Sequence, residues 1–152
     1  MQPKLVELQP LILSGISIRT SNSEQSQAFK KTIGDLWQEF FGQNLVDKIP
    51  NMLSGSPIYG VYSAYESDAN GQFTATVAVS VSAASSEFDI IEVSGGRYLM
   101  FEARGAIPHS VIEAWGKIWQ FFATSKEWKR RYTADFEVYR NSDVVEIYIA
   151  VD

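Results

Sequence analysis

Tyr132-Thr133-Ala134-Asp135-Phe136-Glu137-Val138-Tyr139-Arg140, with the run Val144 to Val151 just after it, decides how this chain folds. At the period of a strand, Phe136 and Val138 fall on one face, and Asp135, Glu137 and Tyr139 on the other. In the following run Val145, Ile147, Ile149 and Val151 share a face, with Glu146, Tyr148 and Ala150 opposite. Asn141-Ser142-Asp143 is a short polar turn of the kind that joins antiparallel neighbours. The expectation is a hairpin with one apolar face and one face of carboxylates and tyrosines. Such a face is ordinary on the wet side of a half-buried sheet. It also suits the wall of an aromatic pocket for a flat cation. A ring face attracts a cation by roughly 0.5–2 kcal/mol, and a desolvated carboxylate adds a charge that water screens poorly.

Composition narrows the choice. A chain of 152 residues is expected to form one domain, spanning 1–152 with halves of about 1–84 and 85–152. With 45% hydrophobic and 13% aromatic residues it has material for a core, which argues against disorder. The net charge of −5, and no basic cluster larger than Lys129-Arg130-Arg131, argue against direct nucleic-acid binding. The absence of cysteine removes thiol catalysis, thiolate metal sites and disulfides together. No apolar run has the length of a membrane span, and the N-terminus lacks the apolar core of a signal peptide. A soluble, cytoplasmic protein without membrane partners is expected.

Outward from the hairpin, the chain reads as a duplication. Leu5 to Thr20 is extended, with a bend at Pro10. Ser21 and Glu24 are spaced as a capping box, and Phe29, Ile33, Leu36, Trp37, Phe40 and Phe41 form an amphipathic stripe ending at Gly42. Strands are expected at Ile58–Tyr65 and Phe73–Ala83, joined across Asn70-Gly71. The second half repeats this order. Phe88 to Arg104 is extended and broken at Gly95-Gly96, then Pro108 opens a helix. Val111, Ile112, Trp115, Ile118, Trp119 and Phe122 form its stripe. Both stripes, Trp37 and Trp119 included, are read as core. Local words echo as well: Tyr59-Gly60-Val61-Tyr62 against Phe136-Glu137-Val138-Tyr139. Gly60 thus stands where Glu137 stands in the second copy, which leaves one carboxylate facing bare backbone.

Several words together carry a family resemblance: Leu36-Trp37-Gln38-Glu39-Phe40, Ile58-Tyr59-Gly60-Val61-Tyr62, Gly96-Arg97-Tyr98-Leu99-Met100-Phe101 with Gly105, Trp115 to Trp119, Asp135 to Tyr139 and Val145 to Ile149. In order and spacing the chain resembles the GyrI-like small-molecule-binding family. That family includes the effector-binding domains of AraC- and MerR-type regulators, among them the Rob-type and multidrug ones. Within it the chain is most similar to free-standing integron-cassette proteins that bind cationic drugs. The resemblance implies an α+β fold of two β-α-β-β units with pseudo-twofold symmetry. Its antiparallel sheet would carry two helices on one face and a ligand cleft on the other. It implies Glu137 as the buried carboxylate that meets a cationic ligand, with Glu146 and Tyr148 in the lining. Tyr59, Tyr139 and Trp115 complete the expected binding residues. The DNA-binding head of the regulators is not expected here, and a transcription regulator or another protein stands as a partner candidate.

No catalytic residue, metal or cofactor is expected. His109 is the one histidine, placed at a helix start, and it leaves no choice of partners for a nucleophilic triad. No nucleophile elbow or phosphate loop appears, and Glu137 with Glu146 would make a ligand-poor metal site. The favoured reading is a module that binds cationic, lipophilic, aromatic small molecules. Two alternatives stand beside it. One is a hydrolase of reactive electrophilic metabolites that uses the same Glu as acid/base. The other is an inhibitor that contacts a protein, as the family's gyrase inhibitor does.

Overall fold

A computed structural model describes residues 2–23, 32–68, 70–140 and 143–152. The strands are β1 (Lys4–Leu8), β2 (Leu11–Thr20), β3 (Ile58–Ser63), β4 (Phe73–Ser80), β5 (Asp89–Val93), β6 (Gly96–Arg104), β7 (Ala134–Tyr139) and β8 (Val144–Ala150). The helices are α1 (Ile33–Gly42) and α2 (His109–Thr124), and Leu45–Asp47 forms a 3-10 turn. All strand pairs are antiparallel, in the order β1-β6-β8-β7-β3-β4-β2-β5. Exchanging the two halves of the chain turns that order into its own reverse, the pseudo-twofold symmetry the echoing words imply. The pair at the dyad is β3 with β7, where Gly60 lies directly opposite Glu137.

The bends at Pro10 and Gly95 let each long extended segment serve both ends of the sheet. Leu8 faces Gly96 in the β1–β6 ladder and Leu11 faces Val93 in the β2–β5 ladder, at one continuous register. The two outermost strands are therefore continuations of β2 and β6, and the sheet curls until its ends are tied together. Side chains on the face without helices bury one another, among them Leu13, Tyr59, Val61, Tyr98, Phe136 and Val138.

The other face carries the helices. Leu36 and Phe40 of α1 pack on Val77 and Val79, whereas Ala114 and Ile118 of α2 pack on Phe101, Ile147 and Ile149. Each helix covers one wing of the sheet, α1 over β2–β4 and α2 over β6. The central pair β3–β7 lies between them.

The first helix opens later than the sequence spacing suggests. Thr32, in an extended conformation, caps it, with a reciprocal capping box to Asp35. Glu24 and Phe29, which the longer reading required, lie outside the described residues. Ser21 follows β2 directly and precedes a turn at Asn22 and Ser23.

Two further expectations are corrected. The β7–β8 ladder sets Glu137 opposite Ile147 and Phe136 opposite Tyr148. The hairpin therefore mixes the two polar sets, and Glu146 and Tyr148 face away from Glu137. The cause is burial on both sides: Ala134 to Val138 are all buried, so alternation of polarity does not report a wet face. Glu137 also lies on the helix-bearing face, in the gap between the helices, and not on the face away from them. Among the described residues, no helix is long and apolar enough to cross a membrane.

Candidate functional site

The gap between the helices is a cavity of about 210 Å³. The start of α1 contributes Ile33, and α2 contributes Ile112, Trp115 and Trp119. Tyr62, Tyr65 and Phe73 come from the sheet and the connection after β3, and Asn22 and Arg130 complete the wall. The rings are set edge to face, Tyr62 against Trp115 at 5.6 Å and against Phe73 at 5.8 Å between centroids. Ring faces are thereby presented in several directions, which suits a bulky aromatic guest.

Beneath the cavity lies Glu137, 2% exposed. Its Oε2 accepts from Trp115 Nε1 at 2.7 Å and from Tyr62 OH at 3.0 Å, and its Oε1 from Tyr139 OH at 2.7 Å. Tyr139 is braced in turn by Trp37, edge to face at 4.7 Å. Gly60 makes the space: a Cβ built there would stand 2.8 Å from Glu137 Oε1 and 3.1 Å from Trp37 Cζ2. No lysine, arginine or histidine among the described residues pairs with this carboxylate. Burial pushes its pKa above the ordinary glutamate value, and the bonds from Tyr139, Trp115 and Tyr62 hold it back in part. The same burial, with the charge of Glu137 alongside, raises Tyr62 and Tyr139, which stay neutral donors.

A second buried carboxylate differs in kind. Asp135 is fully buried and ion-paired with Arg130 Nη2 at 2.6 Å. It also accepts from Tyr65 OH at 2.6 Å and from the Ala150 amide at 2.9 Å. Asp135 has its counter-charge inside the protein, whereas Glu137 has none among the described residues.

Of the expected binding residues, the structure brings together Glu137, Tyr139 and Trp115. Tyr59, Glu146 and Tyr148 fall on the opposite face. There Tyr148 stacks on Phe136 at 4.9 Å and donates to Glu146, which Arg140 also meets. Trp119, read as core, is 46% exposed and lines the cavity. Sequence reasoning missed Tyr62 as a site residue, although a signal was present. Tyr62 shares the strand face of Gly60, whose echo is Glu137, whereas Tyr59 does not. Arg130, Tyr65 and Phe73 meet only through the β7 pairing and the loops, and no local pattern announces them.

Comparison with known proteins fixes the family. Residues 4–151 match the model of Cass2, described as integron-associated effector binding protein. The chain belongs to the Cass2 family. Its fold matches the integron cassette protein VCH_CASS2 of Vibrio cholerae with a TM-score of 0.82 and 35% identity, over 99% of this chain and 95% of that one. The structure of SAV2435 bound to tetraphenylphosphonium matches with a TM-score of 0.81 at 22% identity, covering 100% and 94% of the two chains. A curated relative, the putative transcriptional regulator protein YobU of Bacillus subtilis, is 29% identical over 148 residues, covering 91% of this chain and 90% of that protein. As a Cass2-family member the chain is an effector-binding protein, and the expected α+β fold with helices on one face of an antiparallel sheet holds.

Proposed function

We propose that this protein binds lipophilic, aromatic cations in the cavity between its helices, with Glu137 as the source of attraction and no bond made or broken. The observation that carries this reading is a buried carboxylate without a cationic partner among the described residues, lying directly under an apolar aromatic cavity. A charge in that position is costly unless something of opposite sign completes it. The tetraphenylphosphonium held by SAV2435, a protein of the same fold, supports the class of ligand.

Tyr62 and Trp115 have a double role in this scheme. Both line the cavity, and both donate to Glu137. Their rings stand between the ligand and the carboxylate, so the cation meets π faces whose polar ends are anchored on a negative charge. Such a site favours soft, delocalised cations that offer no hydrogen-bond donor, because the carboxylate already accepts three bonds and lies behind the rings. The same coverage weighs against the hydrolase alternative, which requires Glu137 to exchange a proton with a substrate it touches.

Calorimetric titration with tetraphenylphosphonium tests the proposal. Saturable binding is expected in the wild type, weakened about tenfold or more in Glu137→Gln. A neutral arene should bind both proteins alike. Equal affinity of the cation for both would remove Glu137 from recognition.

A further inference from the structure

The cavity is small for the ligands proposed to enter it. At about 210 Å³ it falls below the roughly 300–1,000 Å³ of pockets that enclose drug-sized molecules, so part of such a ligand has to lie outside. Two residues of its wall stand at the rim: Ile112 is 68% exposed and Trp119 is 46% exposed. Seven residues apart on α2, they are separated by about 10 Å along the helix axis. Gly116, four residues from Ile112 and three from Trp119, shares their side of the helix. A Cβ built there would meet no described atom within 4 Å. The rim therefore has a gap in the middle of its α2 side.

Packing among the described residues does not account for that glycine. Inside a helix, glycine is the poorest former after proline, and here an added Cβ would clash with nothing. Gly116 weakens α2 and leaves room that the protein itself does not fill. The charges beside it, Glu113 and Lys117, pair with each other at 3.3 Å, so the gap favours neither sign. An isoleucine and a tryptophan flank it. An uncharged hydrocarbon arm suits such a passage.

We propose that the binding site continues out of the cavity over Gly116, and that the effector is a cation with a compact aromatic head and an unbranched apolar arm. The head occupies the cavity, and the arm crosses α2 between Ile112 and Trp119. The proposal rests on the cation reading of the same cavity. Gly116 is then a specificity-determining position that selects for the arm by having no side chain.

The test compares methyltriphenylphosphonium with hexyltriphenylphosphonium by calorimetry. The wild type should prefer the hexyl ion by about tenfold or more, since methylenes covered by Ile112 and Trp119 leave water. In Gly116→Gln, which closes the gap with a polar side chain, the preference should collapse towards equality while the melting temperature holds or rises. An equal preference in both proteins would overturn the proposal, as would no preference in the wild type. A preference lost together with a lowered melting temperature would make Gly116 a requirement of the helix itself and overturn it too. A changed oligomeric state in Gly116→Gln with the preference intact would assign the gap to a second copy of the chain, against the proposal. Glu137→Gln separates the two readings. A hexyl preference that persists there, with the affinity for both ions unchanged, would sink the cation reading and leave the passage over Gly116 standing.

Discussion

Acid should weaken cation binding to this protein: the structure sets the direction of the effect, and Coulomb's law its order of magnitude. Under the proposed binding mode only the ionised form of Glu137 adds charge attraction to that of the rings, and burial raises its pKa above the ordinary glutamate value. A cation resting on the Tyr62 and Trp115 faces lies on the order of 7 Å from the carboxylate. At an effective dielectric near 20 the attraction is about 2.4 kcal/mol, so the ionised form binds about 50-fold tighter than the protonated one. Affinity for tetraphenylphosphonium, which does not titrate, should fall as pH drops through the raised pKa. Binding near that pKa should expel a proton. Apo stability runs the other way. Between the unfolded and folded pKa values the folded chain keeps a proton that the unfolded chain has lost, so stability from this group declines as pH rises through that window. Calorimetry in two buffers of different ionisation enthalpy reads the proton directly. Flat affinity from about pH 8 down to about pH 4 with no proton transferred would refute the reasoning, as would an identical pH profile in Glu137→Gln.

Three other perturbations test the site as described. Gly60→Ala drives a methyl into Glu137 Oε1 and Trp37, and should cost about 1–3 kcal/mol in denaturant unfolding; the penalty should shrink in combination with Glu137→Asp, where additive losses would show that the two positions do not meet. Asp135→Ala strands the Arg130 charge inside the protein and should destabilise by about 3–5 kcal/mol in thermal or urea unfolding; a loss comparable to that of an exposed pair would show the ion pair to be solvated. Glu146→Gln, on the opposite face, should leave tetraphenylphosphonium affinity unchanged in the same calorimetric assay, and a loss matching that of Glu137→Gln would restore the expectation that both carboxylates line one pocket.

What could be read from the sequence was the part governed by local pattern. The duplication, the bends at Pro10 and Gly95-Gly96 and the opening of α2 after Pro108 follow from residues close together in the chain, whereas the burial of Glu137 is implied by the family resemblance and not by alternation. The failures lie where register decides. Alternation assigns Glu146 and Tyr148 to one face of β8, but it cannot say which face of β7 they join; the β7–β8 register does. The family resemblance implies a cleft on the face away from the helices, but the side chains of that face bury one another, and the opening lies on the helix-bearing face above the dyad. Trp119 reads as core by spacing, yet the width of the gap between α1 and α2 exposes it to the cavity.

The position of Glu137 on the dyad explains why the copies had to diverge there. Strands β3 and β7 pair about the twofold, so equivalent residues 60 and 137 face each other across one ladder. Two glutamates in those places would stand within contact distance and could not both ionise; one would hold a proton and cancel part of the field. Two glycines would leave the cavity with no charge. One glutamate against one glycine gives a single negative charge centred between the helices, and the missing side chain supplies the volume that the carboxylate and Trp37 occupy. The donors around it are drawn from both halves, Tyr62 from the first and Trp115 and Tyr139 from the second. The fold therefore carries an asymmetric site on a pseudo-symmetric scaffold, with residues 60 and 137 differing at its axis. Restoring the symmetry with Gly60→Glu should abolish cation binding even where the chain still folds.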